Sequence, residues 1–151
     1  MEAHIFKVSF FREKKIFRRI ACLGEQTFND LHLAIFSAFD REEEHLYSFY
    51  FPFKSTKSIR VIRDSVEFCH PMAIDEWSSH GQYDASEEFI GSTQLDIKQK
   101  FYYLFDYGDE WWHEVTYEGV ENCKEKKYPA ILLKKGESPP QYPEYDEDDY
   151  E

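Results

Sequence analysis

The chain is short of the residues from which local catalytic and metal motifs are built. It has 3 cysteines, 6 glycines and 6 prolines in 151 residues. Cys22, Cys69 and Cys123 are too widely spaced for a CxxC clamp. Their odd number reads as free thiols in a reducing compartment. The glycines do not cluster, so there is no Gly-rich phosphate loop, and no GxSxG elbow or HExxH helix occurs. No apolar run reaches the length of a membrane span. The opening "MEAHIFKVSFFREKK" alternates and carries charge, which excludes a signal peptide. These absences predict a soluble, cytoplasmic protein with no membrane partner.

Positive charge is also scarce overall, with 18 Lys and Arg against 30 Asp and Glu, a net −12. The imbalance is uneven. Residues 1–63 carry +3, residues 64–136 carry −8, and residues 137–151 carry −7. An acidic total argues against broad contact with a phosphate backbone, which needs clustered Lys and Arg. It leaves room for a local basic patch around "REKKIFRR".

Aromatics are plentiful instead, at 19%, with 14 Phe and 11 Tyr. They supply large core pieces at low entropic cost. A chain of this length suits one domain and buries roughly 68–70% of its unfolded surface without staples.

"HIFKVSFF" and "KIFRRIACL" alternate as two strands joined through "REKK". On the second, Ile16, Arg18, Ile20 and Cys22 share one face, while Phe17, Arg19, Ala21 and Leu23 share the other. The two arginines therefore point apart. In "TFNDLHLAIFSAF", Thr27 is an N-cap and Asp30 favours the positive helix end. Phe28, Leu31, His32, Ile35 and Phe39 form one stripe, so a helix is predicted over about 28–39. "HLYSFYFPF" is a third strand, with His45, Tyr47, Phe49 and Phe51 on one side. "SIRVIRDSVEFCHP" reads as further extended chain, residues 72–93 as loops with a helical turn, and "TQLDIKQ" as a brief helix capped by Thr93.

"KFYYLFDYGDEWWHEV" holds the strongest strand pair, around the turn-forming Gly108-Asp109. Trp111, His113, Val115 and Tyr117 share its apolar face, and Trp112, Glu114, Thr116 and Glu118 the polar one. "KKYPAILLKK" adds a last strand. "GESPPQYPEYDEDDYE" has no apolar period and reads as a Pro-rich, acidic, solubilising tail. The expected organisation is an α+β single domain over 1–136, a mainly antiparallel or mixed sheet with one principal helix packed on it, and a tail over 137–151.

The order of these pieces resembles the plasmid pRiA ORF-three-like family. The string Phe105-Asp106-Tyr107-Gly108-Asp109-Glu110-Trp111-Trp112-His113 carries the likeness, with Leu31-His32 and His45-Leu46. It covers most of residues 4–145 and is weakest over 54–93. Phe17 stands where the family usually has tryptophan, and Phe105 where it has tyrosine. Asp40-Arg41 replaces a usual Gly-Trp helix ending. Pro139 and Pro140 are kept without a Gly/Cys-rich ending, so no role resting on those cysteines applies. The resemblance implies an α+β single domain and an association with bacterial or mobile-element genomes. It brings no established activity.

The resemblance singles out His32, His45 and His113, and the residue pattern puts each on an apolar face. Asp106 and Asp109, with Glu110, are the acids nearest the hairpin turn. Two readings stand side by side. In one, the imidazoles are buried hydrogen-bonding ties, the aspartates cap the turn, and the protein is a binding module without a cofactor, its partner a protein or a nucleic acid. In the other, His32, His45 and His113 hold a divalent metal such as zinc in a small hydrolase, with Asp106 or Asp109 assisting and Glu114 as base. Glu114 faces away from His113, which counts against that role. Arg18 and Arg19, with Lys14 and Lys15, are candidates for an anion anchor, and Lys54, Lys57, Arg60 and Arg63 extend the patch if folding brings them near. The bland reading of the arginines is charge that discourages edge pairing.

Overall fold

Alternation in β1 (Glu2–Phe10) sends Phe6, Val8 and Phe10 to one face and Ile5, Lys7 and Ser9 to the other. The computed structural model describes residues 1–142. β1 pairs antiparallel with β2 (Phe17–Leu23), as the two alternating runs predict. Then follow α1 (Phe28–Ala38), β3 (Tyr47–Phe51), α2 (Ile59–Arg63), β4 (Val66–Cys69), β5 (Gln82–Asp84), β6 (Lys100–Phe105), β7 (Trp111–Asn122) and β8 (Ala130–Lys135). They build one 8-stranded sheet in the order β5-β4-β3-β6-β7-β1-β2-β8. Only β4 and β5 run parallel, so the sheet is mixed. With one main helix the α+β expectation holds in a sheet-dominated form.

α1 forms where its stripe and cap place it. Thr27 Oγ1 accepts from Asp30 N at 3.3 Å, and the Asp30 carboxylate accepts the Thr27 N–H at 2.9 Å, a complete capping box. Phe28, Leu31, His32, Ile35 and Phe39 are all buried against the sheet. The Phe28 ring lies within 6.1 Å of four other phenylalanine rings, Phe49, Phe51, Phe68 and Phe101. Truncating it to alanine costs about 3–5 kcal/mol.

Four local expectations are corrected. "SIRVIRDSVEFCHP" is extended only in its second half, as β4; its first half is α2. Ser58 caps this short helix by accepting from Val61 N at 3.3 Å, and Ile62 buries itself under it. "TQLDIKQ" is not helical. Lys98 adopts φ 72 and donates to Tyr117 O at 2.7 Å, while Gln99 O accepts the Tyr117 N–H at 2.9 Å. Bonds to β7 thus replace local helical ones. Residues 72–93 contain β5 besides single 3-10 turns. The β6–β7 connection is the five-residue loop 106–110, with positive φ at Asp106 and Glu110 rather than a two-residue Gly108-Asp109 turn.

The face of the sheet away from α1 carries two small apolar clusters. Tyr50, Tyr102 and Leu104 pack with Ile62 of α2, and Ala3, Ile5 and Ala21 pack with the chain around Tyr128 and Leu132. A polar band of β1, β6 and β7 separates them. Residues 138–142, read from composition as the start of the tail, are strapped to the end of α1. Ser138 Oγ donates to Phe39 O at 3.0 Å, and buried Gln141 bonds the backbone of Glu42 and Glu43. The acidic remainder of that segment, 143–151, lies outside the described residues.

Candidate functional site

The three histidines fall into two places. His32, on α1, stacks on Tyr47 at 3.7 Å between ring centroids and 7° between planes. Its Nε2 lies 3.2 Å from the Glu44 carboxylate, which can only accept, so Nδ1 is the acceptor for the Tyr103 hydroxyl at 2.6 Å. Burial, aided by His70, lowers the His32 pKa to about 3, and the ring stays neutral. His45 is partly exposed, with Nε2 2.6 Å from the Tyr142 hydroxyl and 3.5 Å from Asp106 Oδ2. His32 and His45 line one hollow of about 540 Å³ together with Glu44 and His70.

His113 lies on the other side of Tyr103, its ring centroid 5.1 Å from the Tyr103 ring. Nδ1–H donates to Tyr103 O at 3.3 Å. Burial, then the nearby Arg41 charge, lowers the His113 pKa to about 3. Tyr103 is therefore the partition, holding one imidazole by its hydroxyl and the other by its carbonyl. Asp106 Oδ1 accepts the N–H groups of Gly108 at 3.0 Å and Asp109 at 3.3 Å, as a turn-capping aspartate does, and Asp109 is exposed. Among the described residues no three His, Cys, Asp or Glu side chains converge as ligands for a metal ion.

The two candidate arginines point to opposite faces, as the alternation requires. Arg18 is buried, donating through Nε to Ala38 O at 2.8 Å and through Nη1 to Phe17 O, Lys135 O and Gly136 O at 2.9–3.0 Å. It ties the end of α1 to β8. Arg19, on the open face, is bonded to Glu118 at 2.9 Å and Glu121 at 2.8 Å. Arg41 lays its guanidinium 4.4 Å from the Trp111 ring centre and donates to Pro139 O at 2.9 Å. Asp40 before it has φ 55, the left-handed conformation that favours glycine at a helix end.

Sequence reasoning missed one site and, of another's lysines, named only Lys14 and Lys57. Glu67 on β4 is 3% exposed and accepts from Ser48 Oγ at 2.5 Å, His80 Nε2 at 2.6 Å and Gln82 Nε2 at 3.0 Å. The network ties β3, β4 and β5 beside a polar hollow of about 580 Å³ that Trp77 and Tyr107 help to line. No local motif signals it, because its members come from three elements.

The second lies on the polar band of the open face. Cross-strand pairing aligns Arg19, Lys7, Thr116 and Lys100 in one row across β2, β1, β7 and β6. The adjacent row is Phe17, Ser9, Glu114 and Tyr102. Lys14 from the hairpin turn and Lys57 from the chain before α2 complete a hollow of about 530 Å³. Glu114 bonds both Lys14 and Lys100 at 2.6 Å. Burial pushes the Glu114 carboxyl up, but these two ammonium groups outweigh it and hold it below the usual carboxylate value. Lys7 and Lys57 have no carboxylate within ion-pair distance among the described residues. Lys7 instead sits 4.4 Å over the Phe17 ring. The signal available in the sequence was the i, i+2 alternation that puts Lys7 and Ser9 opposite the apolar positions of β1.

An 8-stranded mixed sheet covered on one side by a single helix defines a small, sheet-dominated α+β protein. The chain belongs to the plasmid pRiA4b ORF-3-like protein family, whose model matches residues 3–143. A crystal structure of a protein of unknown function from Methanosarcina mazei Go1 is similar to it, with a TM-score of 0.71 and 22% identity over 93% of this chain and 73% of that one. Identity at that level speaks for the fold alone. No curated protein matches the chain. Among the described residues no helix is long and apolar enough to cross a membrane.

Proposed function

We propose that the protein is a non-enzymatic binding module that holds an anionic partner on the open face of its sheet. One observation carries this reading: four lysines, Lys7, Lys14, Lys57 and Lys100, line a hollow that contains a single carboxylate, Glu114. Arg19, opposite Lys7 on β2, is already matched by Glu118 and Glu121, so the unmatched charge lies with the lysines of the hollow. An oxyanion seated among them adds to the one compensating charge of Glu114. The lining hydroxyls of Ser9, Thr56 and Thr116 add neutral donors suited to phosphate oxygens. The net −12 of the whole chain confines such binding to this patch. His32 supports the same reading, because both of its ring nitrogens are bonded inside the core; His113 is bonded through Nδ1, and its buried Nε2 has no partner among the described residues.

Isothermal titration with inorganic tripolyphosphate tests the proposal. Binding at one site per chain is expected, weakening as salt rises. The Lys7→Gln/Lys57→Gln variant is expected to lose it with its melting temperature unchanged. Absent binding, or binding indifferent to salt and to both lysines, would refute the assignment.

A further inference from the structure

The lysine hollow has a neighbour of opposite character. A cleft of about 850 Å³ is lined by Phe51, Pro52, Phe53, Val61 and Val66, and Ser55 and Thr56 line both hollows. Thr56 is fixed between them, its N–H donating to the Tyr102 hydroxyl at 3.1 Å. Phe53 is fully exposed, a large apolar ring that none of the described residues covers. Lys54 stands beside it at the cleft rim. Ser9, 4% exposed, lines the lysine hollow.

We infer that the anionic partner is a single-stranded nucleic acid, with its phosphates against Lys7, Lys14, Lys57 and Lys100 and an unpaired base on Phe53 in the adjoining cleft. This rests on the anion-binding reading and adds the ligand's second half. A base stacks on any exposed aromatic ring, and only an unpaired base offers both faces for it. An aromatic step beside a lysine-lined groove is how strands are held without reading their sequence. The hollow's cations are all lysines, point charges that fit a phosphodiester backbone. A phosphopeptide would favour the planar fork of arginine, and Arg19, the cross-strand neighbour of Lys7, is bonded to two glutamates. A duplex would present phosphates without a base for the cleft.

The test uses the full chain and three probes: a labelled oligothymidylate, the same sequence as a duplex, and inorganic polyphosphate. The single strand is expected to bind more tightly than the duplex. Its affinity should fall with salt on a log–log slope of about −2.8 if four phosphates are contacted. Lys7→Gln/Lys57→Gln should weaken both the strand and polyphosphate and halve that slope. Phe53→Ala, at an exposed position, should weaken the strand by at least about five-fold and leave polyphosphate unchanged. If polyphosphate binds through the lysines while Phe53→Ala leaves the strand untouched, the base-stacking inference fails and the anion reading stands. If the duplex binds as well as the strand, the inference also fails. If neither anion binds, both readings fall together.

Discussion

The hydroxyl of Tyr103 lies 2.6 Å from Nδ1 of His32, and both residues are buried. Because Nε2 of His32 donates to Glu44, Nδ1 has only this hydroxyl as partner. Tyr103→Phe therefore leaves a buried lone pair unsatisfied and is expected to cost about 1–3 kcal/mol in urea unfolding. Adding His32→Leu to Tyr103→Phe should cost less than the two single changes summed, since the second removes the group that the first strands. Strict additivity would show that the bond is not formed.

The two imidazoles flanking Tyr103 make stability depend on pH in one direction. Both have folded pKa values lowered to about 3, against 6.5 in the unfolded chain. Above pH 6.5 both states hold them neutral and there is no cost. Between pH 6.5 and 3 the unfolded chain binds protons that the folded chain refuses. Unfolding is thus favoured by about 1.4 kcal/mol per pH unit for each group as pH falls. His113→Phe, which removes one such group, should shallow the acid limb of a stability–pH curve. An unchanged slope would place that titration elsewhere.

Neighbouring arginines should behave in opposite ways. Arg18 satisfies four carbonyls at the junction of α1, β2 and β8. Arg18→Met strands those acceptors and is expected to cost at least about 3 kcal/mol. Arg19 makes two ion pairs on a solvent-facing strand. Arg19→Ala is expected to cost no more than about 1 kcal/mol, with the loss shrinking in high salt. Thermal melts of the two variants at low and high salt distinguish these cases. Equal losses would contradict the different burial of the pair.

What the sequence made legible was what depends on local periodicity. Alternation placed Arg18 and Arg19 on opposite faces, sent His113 inward with Val115 and Tyr117, and turned Glu114 outward; the α1 stripe and Thr27 cap fixed the main helix. What stayed hidden depends on register. Nothing in "HIFKVSFF" or "QKFYYLF" says that Lys7 and Lys100 flank the same Thr116, because that follows from how β1 and β6 both pair with β7. Glu67, Ser48 and His80 meet for the same reason, from elements ordered by β3–β4–β5 pairing and an intervening loop. The shared inward direction of the histidines was legible for His32 and His113. Their separation was not, because Tyr103 stands between them through β6–β7 pairing rather than through any spacing in the chain.

Glu114 is the lever on the proposed anion site. One carboxylate bonds both Lys14 and Lys100, so it withholds two of the four ammonium groups from an incoming oxyanion and repels it as well. Glu114→Gln removes the repulsion and frees both lysines while keeping the side chain's size. Tripolyphosphate should therefore bind this variant several-fold more tightly at low ionic strength, with the gain fading as salt screens the band. The variant should melt somewhat below the parent, because two partly exposed ion pairs are lost. The two effects have opposite signs, so a general loosening of the fold cannot imitate the expected result. Titration at two salt concentrations, read beside a melt, decides it: affinity unchanged at low salt would move the ligand away from Glu114, and with it the case for the lysine row.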